Sequence, residues 1–272
     1  MPPVITSRHN PRVKQAAALR SRKARDARRQ TLVHGPRETL RAIQAGAEVV
    51  EAYVCQELLR GADAAQAQAA LQSSSADVMT TTPEVFERLA YGDRLDGVVS
   101  VVATPRRPLP GLGLPPRPVV AVVEGVEKPG NLGAVLRTAD AAAVDAVVLA
   151  DPVIDLFGPN VIRASVGAVF KPNTAVATTG ETLAWLEGIG VPVYATRPDA
   201  AECYTAADFS AGAAIVLGAE STGLSDAWRV APTRPIRLPM HGVADSLNLS
   251  ATAAVLFYEA LRQRPSPGGA VG

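Results

Sequence analysis

The chain has 272 residues, 47% hydrophobic and 4% aromatic, enough apolar material for two ordinary domains. Two isolated cysteines, Cys55 and Cys203, exclude a disulfide framework, and the lack of a signal-type N-terminus or of any apolar run of about 18 residues argues for a reduced cytoplasmic protein without a membrane span. The net charge of +1 conceals a segregation: residues 1–41 hold eleven Lys/Arg against two Asp/Glu and the remainder sixteen against twenty-four, which favours a polyanion at the N-terminal part.

In chain order, the first element is a basic helical stretch from Arg12 to Arg29, "RVKQAAALRSRKARDARR". Strand-like runs follow at "TLVHG", "VVEAYVC", "ADVMT" and "GVVSVVA", alternating with helical stretches at Pro36–Ala45, Glu57–Leu71 and Pro83–Ala90. That alternation predicts a small α/β domain over 1–103. The prolines and glycines of "TPRRPLPGLGLPPRP" break every period and predict a semi-rigid linker over 104–118.

Beyond it, the apolar runs "VVAVVEG", "AVVLA", "TAVAT", "VPVYAT" and "AAIVLG" predict buried strands of an open parallel sheet, a second domain over 119–264. The last long helix runs from about Leu247 to Gln263 with an apolar stripe on Leu249, Ala253, Leu256, Phe257 and Leu261. Residues 265–272 read as a disordered tail. His9, His34 and His241 have no neighbour at ligand spacing, so no metal is expected.

Ligands of open parallel sheets bind beyond the C-terminal ends of the strands, and three polar clusters fall there. In "KPGNLGAVLRTAD", Asn131 reads as a helix cap, Gly133 as a site of close approach, and Arg137 projects from the second turn. In "VLGAESTGLSD", Gly218 and Gly223 flank Glu220, and Ser225 caps the helix that follows. In "RLPMHGVADSLNLSATAAV", "LPM" ends a strand, Ser246 takes the N-cap, and Asn248 and Ser250 lie in the first turn. No G-x-G-x-x-G or Walker A pattern is present, which excludes a dinucleotide-binding oxidoreductase of the usual kind.

The three clusters, in that order, closely resemble the SpoU (TrmH-type) branch of the SPOUT superfamily of RNA ribose 2′-O-methyltransferases. The opening "ITSRHNPRVKQAAALRSRKARDARRQTLVHGPRE" is similar to the substrate-binding domain that precedes the catalytic one in many members. A departure is His34-Gly35, where the family commonly has an acidic residue before the glycine. The resemblance implies an α/β chain with a C-terminal SPOUT domain, whose open parallel sheet carries a trefoil knot, and a small N-terminal α/β domain.

It also implies S-adenosylmethionine as cofactor, homodimers packed through the catalytic domain, and RNA as partner, with ribosomal RNA favoured over transfer RNA. Carried over by motif, Leu217, Gly218, Leu238, Pro239, Met240, Leu247 and Asn248 would hold the cofactor. Arg137 would act on the 2′-hydroxyl, as a proton acceptor or, more in keeping with guanidinium basicity, as a stabiliser of the developing alkoxide. Asn131, Glu220, Ser246 and Asn248 would complete the catalytic set, and Arg8, Asn10, Lys14, Arg22, Lys23 and Arg25 would form an RNA surface. The alternative is a non-catalytic RNA-binding protein of the same fold.

Overall fold

The computed structural model describes residues 4–90, 92, 95–171 and 173–264, so the tail expected over 265–272 lies outside the described residues. The chain forms two units that are not collinear with it: Met1–Arg106 with Asp155–Pro172, and Arg107–Ile154 with Asn173–Gly272.

In the first unit, β1 (Val4–Ile5), β2 (Gln30–His34), β3 (Val49–Val54), β4 (Asp77–Thr81) and β5 (Val98–Ala103) build a five-stranded sheet in the order β1-β4-β3-β5-β2. Pairing is parallel from β1 through β4 to β3 and antiparallel from β3 through β5 to β2. Leu19, Leu32, Tyr53, Met79, Phe86 and Leu89 are buried in its core.

The basic stretch is two helices rather than one, α1 (Pro11–Ala18) and α2 (Arg22–Arg28). Asn10 caps α1 by accepting from the Arg12 amide at 2.9 Å, with Pro11 in the first turn. The chain then turns to bury Leu19 completely. The carbonyls of Leu19 and Arg20, freed from helical pairing by that turn, both accept from Arg25 Nη1 at 2.8 Å.

Helices α3 (Pro36–Gln44), α4 (Gly61–Gln72) and α5 (Pro83–Leu89) follow. The helix expected from Glu57 starts only at Gly61, because the extended Leu59 and Arg60 end a single 3₁₀ turn at Gln56–Leu58. Residues 155–172, which the sequence reading put within 119–264, pack in this unit. Thr31 Oγ1 donates to Phe157 O at 2.6 Å, Arg41 Nη1 to Val166 O at 2.7 Å, and Arg25 pairs with Asp155 at 2.7 Å.

The second unit is a seven-stranded sheet, parallel throughout, in the order β10-β12-β9-β11-β6-β7-β8. Along the chain run β6 (Val119–Glu124), α6 (Pro129–Ala141), β7 (Ala146–Ala150), α7 (Pro159–Ala164, in the first unit), β8 (Thr174–Ala177) and α8 (Thr179–Ile189). After them come β9 (Val193–Thr196), β10 (Glu202–Cys203), β11 (Ala213–Leu217), α9 (Ala227–Val230), β12 (Arg234–Arg237) and α10 (Leu249–Gln263). Strands β6, β7 and β11 are buried at every residue, as their unbroken apolar runs require.

Val120, Val122, Val148, Ala214 and Val216 face one side of the sheet together with Leu186 and Trp228. Leu109 and Leu112 join them. The stretch read as a linker over 104–118 thus buries Leu109, Leu112 and Pro118, while Pro110, Gly111, Gly113, Pro115, Pro116 and Arg117 stay exposed: proline and glycine forbid a helix or strand there but not burial of single residues. Leu238-Pro239-Met240 follows β12 instead of ending it, because β12 closes at Arg237.

Candidate active site

From β6 the sheet grows to one side through β7 and β8, and to the other through β11, β9 and β12. The carboxyl ends of β6 and β11 therefore mark a topological switch point, where the loops leaving adjacent strands diverge and leave a crevice. All three polar clusters follow strands of this region: 125–128 after β6, 218–226 after β11, and 238–248 after β12.

Glu124, the last residue of β6, is a buried carboxylate. Its Oε1 accepts from Thr179 Oγ1 and Ser225 Oγ, and its Oε2 from the Ser225 amide, each at 2.8 Å. Three donors satisfy a charge that burial would otherwise penalise, and they hold the end of the 218–226 loop to β6. Ser225 thus serves Glu124 instead of capping a helix; Asp226 occupies the residue before α9.

Within that loop the Gly223 amide donates to Ala219 O at 2.9 Å and Gly223 has φ +69°. The chain folds so tightly on itself that a Cβ on Gly218 would stand 2.4 Å from Gly223 C and 2.5 Å from Leu224 N. Glycine at 218 is required by the loop's own packing, a constraint that sequence spacing does not reveal.

Two clefts share Ala219, Glu220 and Leu249 as a common wall. The larger, of about 230 Å³, is lined by Leu217, Gly218, Leu238, Met240 and Leu247 from the expected cofactor set, and by Ser246 and Glu220 from the catalytic set. Thr196 and Arg197, from the end of β9, line it as well. Pro239 is not part of its lining. The smaller, of about 190 Å³, is lined by Glu127, Lys128, Asn131 and Ser221 with Glu220.

Asn248, like Pro239, is not part of the larger cleft's lining, nor of the smaller one's, but it bonds to residues that line them. Its Nδ2 donates to Asn131 Oδ1 at 3.2 Å and to Glu220 Oε1 at 2.5 Å, while its Oδ1 accepts from the Ser250 amide at 2.9 Å. That last bond makes Asn248, not Ser246, the cap of α10, so one amide both starts the helix and fixes two site residues. Asn131 lies in the first turn of α6 behind Pro129 instead of capping it. Lys128 Nζ meets Glu220 Oε2 at 2.5 Å, and Ser221 Oγ donates to Glu127 Oε1 at 3.0 Å. The Glu220 carboxyl is held below its ordinary range, first by the Lys128 ammonium and then by Asn131, and Lys128 is raised in return by Glu220.

Arg137 is not brought to this cluster. Six residues beyond Asn131, at about 100° per residue, it lies about 120° round α6. It is exposed and, among the described residues, no hydrogen bond ties it to Asn131, Glu220 or Asn248. Glu124, Glu127, Lys128 and Ser221 were missed by sequence reasoning; the available signal was a carboxylate ending a wholly apolar strand and a charged pair just before Pro129.

In the first unit Lys14, Arg22 and Lys23 are exposed. Arg8 is exposed as well, its guanidinium bonded to Glu84 O and to Glu87 at 2.7 Å, and Asn10 is engaged in its cap. Arg25 departs from the expectation: 7% exposed, it spends its donors on Asp155 and on the carbonyls after α1, so it is an internal residue and not part of an RNA surface.

The sequence matches the SpoU rRNA Methylase family over residues 118–258 and the MRM3-like substrate binding domain over residues 10–100. It is 35% identical over 144 residues to the 23S rRNA (uridine(2479)-2′-O)-methyltransferase of Streptomyces viridochromogenes, an alignment spanning 51% of this chain and 50% of that protein. The chain thus spans half the length of that relative. The fold is similar to a crystal structure of an RNA 2′-O ribose methyltransferase, with TM-score 0.81 and 41% identity, covering 96% of this chain and 98% of the other. It is similar too to the SpoU methyltransferase AviRb of Streptomyces viridochromogenes in complex with AdoMet, with TM-score 0.84 and 26% identity over 94% and 98% of the two chains.

Proposed function

Because the chain belongs to the SpoU rRNA methylase family, we propose that it transfers a methyl group from S-adenosylmethionine to a ribose 2′-hydroxyl of RNA, ribosomal RNA before transfer RNA. The single observation that carries the reading is the convergence at one switch point of a glycine-walled cleft and an Asn131–Asn248–Glu220 cluster sharing a wall with it. A related structure solved with AdoMet bound supports it over the non-catalytic RNA-binding alternative.

The larger cleft fits the cofactor. Its wall at Gly218 is backbone, because no Cβ can be accommodated there, and Leu217, Leu238, Met240 and Leu247 add apolar surface. When bound, the cofactor supplies an electrophilic methyl on a sulfonium. The protein must then align the hydroxyl and stabilise the charge that develops on its oxygen. Asn248 holds Glu220 and Asn131 in fixed orientation, and Ser246 lies on the larger cleft's lining. The guanidinium of Arg137 stabilises the alkoxide.

The same proposal includes a homodimer packed through the catalytic region. Arg137 is exposed away from the cluster, and Tyr258 (51%) and Leu261 (37%) are exposed on the adjacent α10, so a second copy across these faces would complete a site that one chain leaves open. The C-terminal trefoil knot, the cytoplasmic location and an RNA-binding role for residues 1–103 belong to this reading through the family. Among the described residues no helix is long and apolar enough to cross a membrane.

The test is incubation with labelled S-adenosylmethionine and, separately, deproteinised ribosomal RNA, intact ribosomal subunits and bulk transfer RNA, followed by mapping of alkali-resistant linkages. Label as a 2′-O-methyl nucleotide in a ribosomal pool is expected. Label in transfer RNA alone overturns the substrate order, and failure to bind the cofactor overturns the whole reading.

A further inference from the structure

The smaller cleft has an unusual charge order. Its lining carries two carboxylates, Glu127 and Glu220, and one cation, Lys128. Each carboxylate has a partner across the gap between the 125–128 and 218–226 loops: Glu127 accepts from Ser221 and Glu220 from Lys128. The two rungs differ in what they can release. The Glu220 carboxylate is anchored on its other oxygen by Asn248 and its side chain is 25% exposed, whereas the Lys128 side chain is 67% exposed and has Glu220 as its partner.

A screened pair of that exposure contributes little, so exchanging it for another anion costs little. A backbone phosphodiester carries the same single charge as the carboxylate it would replace, and the exchange is favoured by release of counterions condensed on RNA. The phosphate can meet an ammonium at the rim without entering the cleft. Inside, the carboxylates repel a phosphate but accept hydrogen bonds from sugar hydroxyls, with the amide of Asn131 and the hydroxyl of Ser221 alongside.

We propose that Lys128 is an RNA-phosphate contact at the rim of the smaller cleft, exchanging Glu220 for a backbone phosphate of the substrate while Glu127 and Glu220 keep phosphate out and admit the ribose edge. The inference rests on the methyltransferase reading above and deepens it: charge order determines which side of the nucleotide faces the cleft. Glu220 then remains with Asn248 and gains a free oxygen toward the substrate side.

The test is Lys128→Gln beside Lys128→Arg in the full chain, with KM for RNA, kcat, AdoMet affinity, thermal midpoint and salt dependence of RNA binding measured for each. Lys128→Gln is expected to raise KM for RNA about fivefold and to lower the slope of log K against log salt by about 0.7–0.9, the share of one phosphate contact. AdoMet affinity should stay within about twofold and the thermal midpoint should not change, and Lys128→Arg should restore KM and slope.

An active wild-type protein whose Lys128→Gln variant keeps its KM and salt slope overturns this inference alone. A variant that instead loses AdoMet affinity or thermal stability overturns it too, and leaves Lys128 as a support for Glu220. A wild-type protein that binds AdoMet and methylates none of the RNA pools brings down the functional reading itself, and this inference with it.

Discussion

At the scale of single residues, the site is built from groups whose neighbours leave them little freedom. Gly218 has no room for a Cβ within its own loop, so Gly218→Ala must displace the 223–224 backbone that walls the larger cleft. The expected result is at least about a tenfold loss of AdoMet affinity with a lowered thermal midpoint, measured by calorimetry and thermal melting. Arg137 is the converse, an exposed side chain with no hydrogen bond to the cluster among the described residues. Arg137→Ala should leave AdoMet affinity within about twofold and lower methyl transfer by about 100-fold or more, as removal of a single charge stabiliser does elsewhere. Turnover at the wild-type rate would take Arg137 out of the mechanism.

At the scale of elements, α10 is tied at both ends. Asn248 caps it and holds the site, while at the far end Gln263 Oε1 accepts from the Phe209 amide at 2.7 Å and its Nε2 donates to Ala207 O at 3.0 Å. Gln263 Nε2 is steered by Glu259 at 2.8 Å, whose carboxyl is lowered to about 2, chiefly by Arg262 and then by Gln263. A carboxyl lowered on folding stabilises above its unfolded value of about 4.3 and loses that contribution as pH falls toward 2. Arg262 is 71% exposed, so screening reduces the effect to about 1 kcal/mol. Chemical denaturation at pH 6 and pH 3 should show Glu259→Gln shrinking the acid loss by that amount. An unchanged loss would assign the acid sensitivity to other carboxylates.

At the scale of the whole molecule, the charge asymmetry read from the first 41 residues persists as exposed side chains, with one subtraction. Arg25 is buried against Asp155, and removing it would strand that carboxylate and destabilise the first unit by about 3 kcal/mol. An RNA-surface test must therefore spare it. Arg22→Ala with Lys23→Ala should weaken RNA binding and lower its salt slope by about 1.5, without changing the thermal midpoint or AdoMet affinity. An unaltered slope in a filter-binding titration would move the RNA surface elsewhere.

The parallel sheet was legible in the amino-acid order, since unbroken apolar runs such as "VVAVVEG" between helix-length stretches fit strands covered on both faces, and the polar clusters after those strands marked the candidate loops. How the clusters are capped, packed and paired came from three-dimensional contacts. They moved the cap of α10 from Ser246 to Asn248, buried Leu109 and Leu112 of the proline-rich stretch, broke the basic helix at Leu19, and sent residues 155–172 into the first unit. The reason is common to all four. Periodicity reports what one segment would bury or expose by itself, whereas capping, docking and ion pairing depend on partners tens to more than a hundred residues away, as Arg25 and Asp155 illustrate.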